Sequence, residues 1–448
     1  MNGGGPDVRW ELVADGWHFP TSLALADGVV YLAESGLPFA ECTAGRPGLA
    51  AGSRRRTQAA DRRSARPVNG LHRHGDAVYV SEGGHPGRIS RLSLDGARTT
   101  VLDDLPGPGN YHTNMAVVGP DDKLYFSQGA LTNLGVVGLD AYAIGWLRRL
   151  PHGHDVPGYP ITLAGVNTTT PDPTSPDPKA QASTGGFSPF GTPSQPGQRV
   201  PAGLPATAAV MRCDLDGGNL ELVAWGLRNA YRLGFLPDGR LLAVDQGADD
   251  RGSRAVGQAP DLLFAVRSGR WYGWPDYIGG VPVTDERFRP ERGQPPAMLL
   301  TEHERLPRPE EPLLRFPPHT AAVKFDVVPE TGRHAGDLYV ALFGDELPMT
   351  APSGPRVGRG IVRVHTSTWT LHPLASGPAR RPIDVRIERN RRLGLPLGLR
   401  AVRDDRHRCG GAGGQRSAVA VPPTCRTGMV GRRVLTRRAT AAVDGAGR

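Results

Sequence analysis

One arrangement of apolar and polar positions recurs along the chain. A short polar opening leads into an apolar or alternating run, then a tight-turn sequence, then a second run that often carries Tyr. It appears as "FPTSLALADGVVYLAESG" from Phe19, "PVNGLHRHGDAVYVSEGG" from Pro67 and "YHTNMAVVGPDDKLYFSQG" from Tyr111. It returns as "LRNAYRLGFLPDGRLLAVDQG" from Leu227 and "HTAAVKFDVVPETGRHAGDLYVALFG" from His319, and "RPIDVRI" from Arg381 begins a sixth copy. Runs of this length bounded by "ADG", "PDD" and "PDG" predict antiparallel strands joined by tight turns. Pro20, Pro67 and His112 are spaced 47 and 45 residues apart, the length of a four-stranded propeller blade. Six starts predict an all-β fold, a six-bladed β-propeller, in which radial repetition limits exposed strand edges.

Two spacings are longer, 116 residues from His112 to Arg228 and 91 from Arg228 to His319. The first contains the Pro/Ser/Thr-rich stretch 166–205, which predicts an irregular surface excursion. The second contains "WYGWPDYIGGVPVTDERF" and predicts an ordered loop over one face.

Two segments break the pattern. Residues 41–66 should supply strands of the first blade but hold no aromatic residue, no Val and no Ile. Residues 388–448 hold fourteen Arg against four acidic residues, and no Phe, Tyr, Trp, Ile or Lys. Arg/Ala/Gly/Pro excess without periodicity is what a GC-rich gene yields out of frame; an ordinary disordered basic tail is the other reading. The expected organisation is a propeller over 1–387, its sixth blade incomplete, followed by a basic tail over 388–448.

Composition narrows the classes. The chain has 60 Gly and 43 Pro, which favours short strands and turns over long helices. The formal charge of +9 suggests a polyanion partner, but the excess lies in the tail, and the body shows no clustering of basic and aromatic residues for nucleic acid. No apolar run is long enough for a transmembrane helix. Cys42, Cys213, Cys409 and Cys425 form no CxxC pair, which argues against a zinc site. The start "MNGGGPDVRWELVADG" shows no secretory signal, so the sequence as written reads as cytoplasmic.

In a propeller the innermost strands line a central channel, so the repeat openings meet at one mouth. They bring Thr21, Asn69, His112 with Asn114, Arg228 with Asn229, and Arg381. One imidazole, two guanidiniums and several amides make a polar pocket for an anionic or heavily oxygenated ligand. A lone His is more often structural than catalytic, and only its place in the repeat lifts His112 above that.

The stretch "WGLRNAYRLGFLPDGRLLAVDQGADDRGSRAVGQAPDLLFAVRSGRWYGWPDYIGG" resembles the PQQ-dependent glucose/sorbosone (aldose sugar) dehydrogenases. The resemblance covers about Trp17 to Ile387 apart from 41–66. Ala230 and Arg232 stand where the family usually has Pro and Gly. It implies PQQ and Ca2+ in the axial mouth, a sugar substrate, and a separate electron acceptor, a cytochrome or a quinone. It also implies a periplasmic or secreted location. His112 would be the general base that takes the proton of the anomeric hydroxyl, a task suited to an imidazole with pKa near operating pH. Arg228 would stabilise the reacting quinone oxygen, Asn69, Asn114, Asn229 and Arg381 would hold the cofactor, and the carbonyls of Gly247 and Ala248 would ligate calcium. Ile383 replaces the second Arg of the family's cofactor clamp. Lys324 is a candidate for the family's fifth-blade Lys only by nearness.

Two other readings stand beside this one. A gluconolactonase-type metal hydrolase wants carboxylate and Asn ligands on the axis, where this chain offers His and Arg. A non-catalytic propeller that binds a protein or glycan is compatible with the fold. Asp245, Asp249, Asp250 and Asp261 also read as turn caps, and Trp271, Tyr272 and Trp274 as core or as a stacking platform.

Overall fold

Middle strands such as "AVYVSE" and "LLAVD" are apolar at nearly every position, which suits burial on both faces. Ala77–Glu82 and Leu241–Asp245 are indeed buried throughout. The computed structural model describes residues 20–26, 29–34, 48–53, 56–61, 67–107, 109–331, 334–345, 357–376, 381–388 and 398–404. The side chains of 26, 48–53, 56–61, 376, 381, 388 and 398–404 lie outside that description.

Antiparallel sheets follow one another along the chain. The first holds Pro20–Ala26, Val29–Glu34, Gly48–Ser53 and Arg56–Asp61, and the second Val68–His74, Ala77–Glu82, Gly87–Ser93 and Arg98–Leu105. The third runs Thr113–Val118, Leu124–Gln128, Ala209–Cys213 and Glu221–Trp225, with Arg270–Trp271 added in parallel at its edge. The fourth holds Ala230–Phe235, Leu241–Asp245, Leu262–Val266 and Leu314–Arg315. The fifth holds Ala322–Val327, Leu338–Leu342, Gly360–His365 and Thr370–Ser376. Arg381–Glu388 then pairs with Gly398–Asp404. The opening strand of each sheet packs against the opening strand of the next, and Arg381–Glu388 packs against both Ala322–Val327 and Pro20–Ala26. The architecture is nearly all-β and propeller-like, with two short helices, Leu139–Ile144 and Trp146–Arg149.

The "PDG" turn is as the sequence predicts, while the "DG" of "ADG" lies outside the described residues. In "LPDG" the N–H of Gly239 donates to Leu236 (3.0 Å), and Gly239 sits at φ +84°, a conformation that favours glycine. Two strands fall within the atypical segment 41–66, and one falls in the first part of the Arg-rich tail. Residues 405–448 lie outside the described residues.

The Pro/Ser/Thr-rich insertion is more regular than expected. Asn167–Pro171 and Gln181–Gly185 form an antiparallel hairpin, and Arg199–Val200 pairs with Ile161–Leu163. The run "NTTTP" alternates exposed and half-buried positions, and β-branched Thr suits such a ribbon. Trp271, Tyr272 and Trp274 are core: all are buried, and Trp271 stacks on Trp225 at 6.3 Å.

Where the opening strands converge, the core is charged. The Asp384 carboxylate accepts from the Leu23 N–H at 2.8 Å and the Ser22 hydroxyl at 3.1 Å. Arg386 pairs with it at 3.1 Å and Lys324 stands 3.9 Å away, all three side chains being buried. Burial, more than the neighbouring arginines, lowers Lys324 to about 7, and it lowers Arg232 to about 9. Removing one member of such a buried group leaves the others uncompensated. Asp384→Ala should therefore cost about 3–5 kcal/mol in urea unfolding; a loss below about 1 kcal/mol would show that the carboxylate does not hold the first and last sheets together.

Candidate functional site

Polar residues stand at or just before the start of several opening strands. Asn69 is the second residue of Val68–His74, and its side-chain amide donates to the Thr113 carbonyl at 3.0 Å. The Asn114 amide donates to Asn229 Oδ1 at 2.7 Å, and the Asn229 amide to Gln246 Oε1 at 2.7 Å. Lys324 Nζ donates to the main-chain carbonyls of Thr21 (2.7 Å) and Asn69 (2.6 Å). The Thr21 hydroxyl donates to the Val68 carbonyl. Thr21, Asn69, Asn114, Asn229 and Lys324 thus form a connected rim across the opening strands. Arg381 opens the last strand, and its side chain lies outside the description.

His112 stands within this rim. A Cβ added at Gly83 would lie 2.8 Å from His112 Cγ and 3.0 Å from Asn69 Nδ2, so the glycine gives the ring its room. The His112 carbonyl accepts from Gly129 N–H at 2.9 Å. The side chain is 6% exposed, yet neither ring nitrogen has a hydrogen-bond partner among the described residues. Burial alone drives its pKa from 6.5 down to about 4. The imidazole is therefore held neutral, and it is a weaker base than the group poised near operating pH that the resemblance implies. A buried polar group without partners is costly, and a site that binds a hydroxylated ligand is a physical reason to keep one.

Arg228 is placed differently from the expectation of a guanidinium facing a ligand. Its Nε donates to the Asn133 carbonyl at 2.9 Å. One terminal nitrogen donates to the carbonyls of Gln246 (3.3 Å) and Gly247, the other to Tyr111 Oη, Asn133 Oδ1 (2.6 Å) and Asp249 Oδ2 (2.9 Å). Its carbon stands 4.5 Å from the Tyr111 ring centre. Arg251 bridges Asp249 (3.0 Å) to Asp140 (2.7 Å), so two arginines and two carboxylates alternate. Burial pushes against ionisation of Asp249, but Arg228 and Arg251 outweigh it and hold the carboxyl below its ordinary range. Tyr111, Asn133 and Asp249 were not singled out as partners from sequence. Tyr111, beside His112 in the repeat opening, was the one available signal.

Calcium does not fit the predicted Gly247 carbonyl as it stands. The Gly247 carbonyl already accepts from Arg228. A divalent ion sharing that oxygen would stand about 4 Å from the guanidinium, a repulsion of about 8 kcal/mol at an effective dielectric near 20. Asp245 and Asp261 turn to main-chain amides instead: Asp245 takes Asn229 N–H (2.7 Å), and Asp261 takes Gly247 N–H (2.9 Å) and Ala322 N–H (2.7 Å). Burial raises them to about 7 and about 6. Among the described residues no three His, Cys, Asp or Glu side chains converge as metal ligands. His112 and the amide rim, by contrast, suit an oxygen-rich organic ligand.

No family model matches the chain, and no curated protein matches it. Among solved structures, it is similar to a protein from Thermus thermophilus provisionally named an oxidoreductase (glucose dehydrogenase). That pair is 18% identical over 96% of this chain and all of the other, with a TM-score of 0.50. A gluconolactonase from Xanthomonas campestris is 13% identical over 88% of this chain and 87% of its own, with a TM-score of 0.41. At these identities the first likeness shows a shared fold.

The burial of neutral His112 has a thermodynamic consequence. The unfolded imidazole protonates near 6.5, the folded one near 4. Its contribution is complete above about pH 6.5 and is lost as pH falls through that window. Between pH 6.5 and 4 the wild type should lose about 3 kcal/mol more stability than His112→Gln. Asp245 and Asp261 act in both proteins and cancel in the difference. Equal slopes would mean that His112 is solvated.

Proposed function

We propose that the chain is a sugar-oxidising enzyme of the PQQ-linked kind, built on a six-bladed propeller. The closed series of opening strands supports counting the sheets as blades, the last represented among the described residues by Arg381–Glu388 and Gly398–Asp404. The observation that carries the chemistry is the buried, neutral and unpartnered imidazole of His112 inside a rim of amides. Its unprotonated nitrogen takes the proton from the sugar hydroxyl on the carbon being oxidised, and its N–H donates to a neighbouring ligand oxygen. Asn69, Asn114, Asn229 and Arg381 orient the ligands. Arg228 acts as a positioning residue: it fixes Tyr111, the neighbour of His112, and the 245–249 turn behind Asn229. When bound, PQQ supplies the quinone carbonyl that takes up the hydride. The electron acceptor would be a separate cytochrome or quinone.

The test is dye reduction by the purified full chain with added PQQ, across aldoses and sorbosone, beside an assay of sugar-lactone hydrolysis. Oxidation should depend on PQQ. His112→Ala should lower kcat by about 10²–10⁴ while PQQ binding stays within about tenfold. Full turnover in that variant would remove His112 from the chemistry, and lactone hydrolysis without added PQQ would favour the hydrolase reading.

A further inference from the structure

The 245–249 turn carries main-chain carbonyls that point at a cation, and that cation belongs to the chain. Arg228 donates to the carbonyls of Gln246 and Gly247, and the same guanidinium is held by Asp249, Asn133 and Tyr111. Arg228 is 4% exposed and Asn133 is 2% exposed, so the arrangement is internal rather than a surface pairing. Its charges are already matched: Asp249 serves Arg228 and Arg251, and Asp140 serves Arg251. Two further carboxylates, Asp245 and Asp261, are committed to main-chain amides. Asn133 locks the turn from the other side, its amide donating to the carbonyls of Asp249 (2.8 Å) and Arg251 (3.0 Å). A metal arriving at Gly247 would meet a positive charge and find no uncommitted carboxylate in this network.

We infer that Arg228 is the built-in cation of the 245–249 turn and that it excludes calcium from the Gln246 and Gly247 carbonyls. The guanidinium does the ordering that a bound ion would otherwise do, and its removal frees both carbonyls and Asp249 at once. Hard oxygen donors of that kind, with one carboxylate, are the donor set calcium takes.

The experiment is a calorimetric titration of the full chain with CaCl2 alone up to about 1 mM, the weak end of protein calcium sites, with thermal unfolding in CaCl2 and in EDTA. No activity is measured and no PQQ is added, so the outcome is independent of the proposed reaction. The wild type should show no stoichiometric calcium binding and the same Tm in CaCl2 and EDTA. Arg228→Met should unfold at a lower temperature in EDTA and regain part of the loss in CaCl2, with calcium affinity at least tenfold above the wild type. Stoichiometric calcium binding by the wild type would overturn the inference, and this arm decides even if Arg228→Met does not fold. A folded Arg228→Met that gains no affinity for calcium would overturn it equally.

Discussion

The buried carboxylate of Asp384 joins the two ends of the sheet series. It takes the main-chain N–H of Leu23 and the hydroxyl of Ser22 from the first sheet, while its own strand supplies Arg386. Arg386 in turn donates to the Leu23 carbonyl at 2.9 Å. Ser22 carries the link onward by accepting from the Leu71 N–H of the second sheet at 3.1 Å. Coupling opening strands side by side brings polar residues far apart in sequence to one rim. Without that closure Asn69, His112, Asn229 and Lys324 would have no reason to share a site.

Closure also sets the electrostatics. The converging strands exclude water, so a charge there is costly unless it is paired. Asp384 is paired, while Lys324 is lowered toward neutrality and donates to carbonyls instead. Arg228 and Asp249 solve the same problem by pairing, with Arg251 and Asp140 completing the alternation. His112 alone among these groups is neutral without any partner for its ring nitrogens among the described residues. That asymmetry separates a site from the charged core around it.

Much of this was legible in the chain. The polar openings and the "ADG", "PDD" and "PDG" turns marked where sheets begin, and the interval near 45–47 residues marked their length. The position of His112 in a repeat opening is what made it a candidate before any geometry. What remained hidden depends on long-range pairing. Nothing local in "LRNA" tells that its guanidinium is satisfied by Asn133, Tyr111 and Asp249, which arrive from other segments. Nothing local in "AVKFDV" tells that the neighbouring strands bury Lys324 completely. The Thr run in the 166–205 insertion had strand propensity that its proline content masked.

The central claim is that the unpaired imidazole faces the reacting hydroxyl. A crystal structure of the full chain soaked with PQQ and an oxidisable sugar tests it most directly. The account predicts a ring nitrogen of His112 within hydrogen-bond reach of a sugar hydroxyl, about 2.6–3.2 Å, with ligand oxygens also meeting the amides of Asn69 and Asn229. Ligands bound elsewhere, with both nitrogens of His112 still unpartnered, would contradict it.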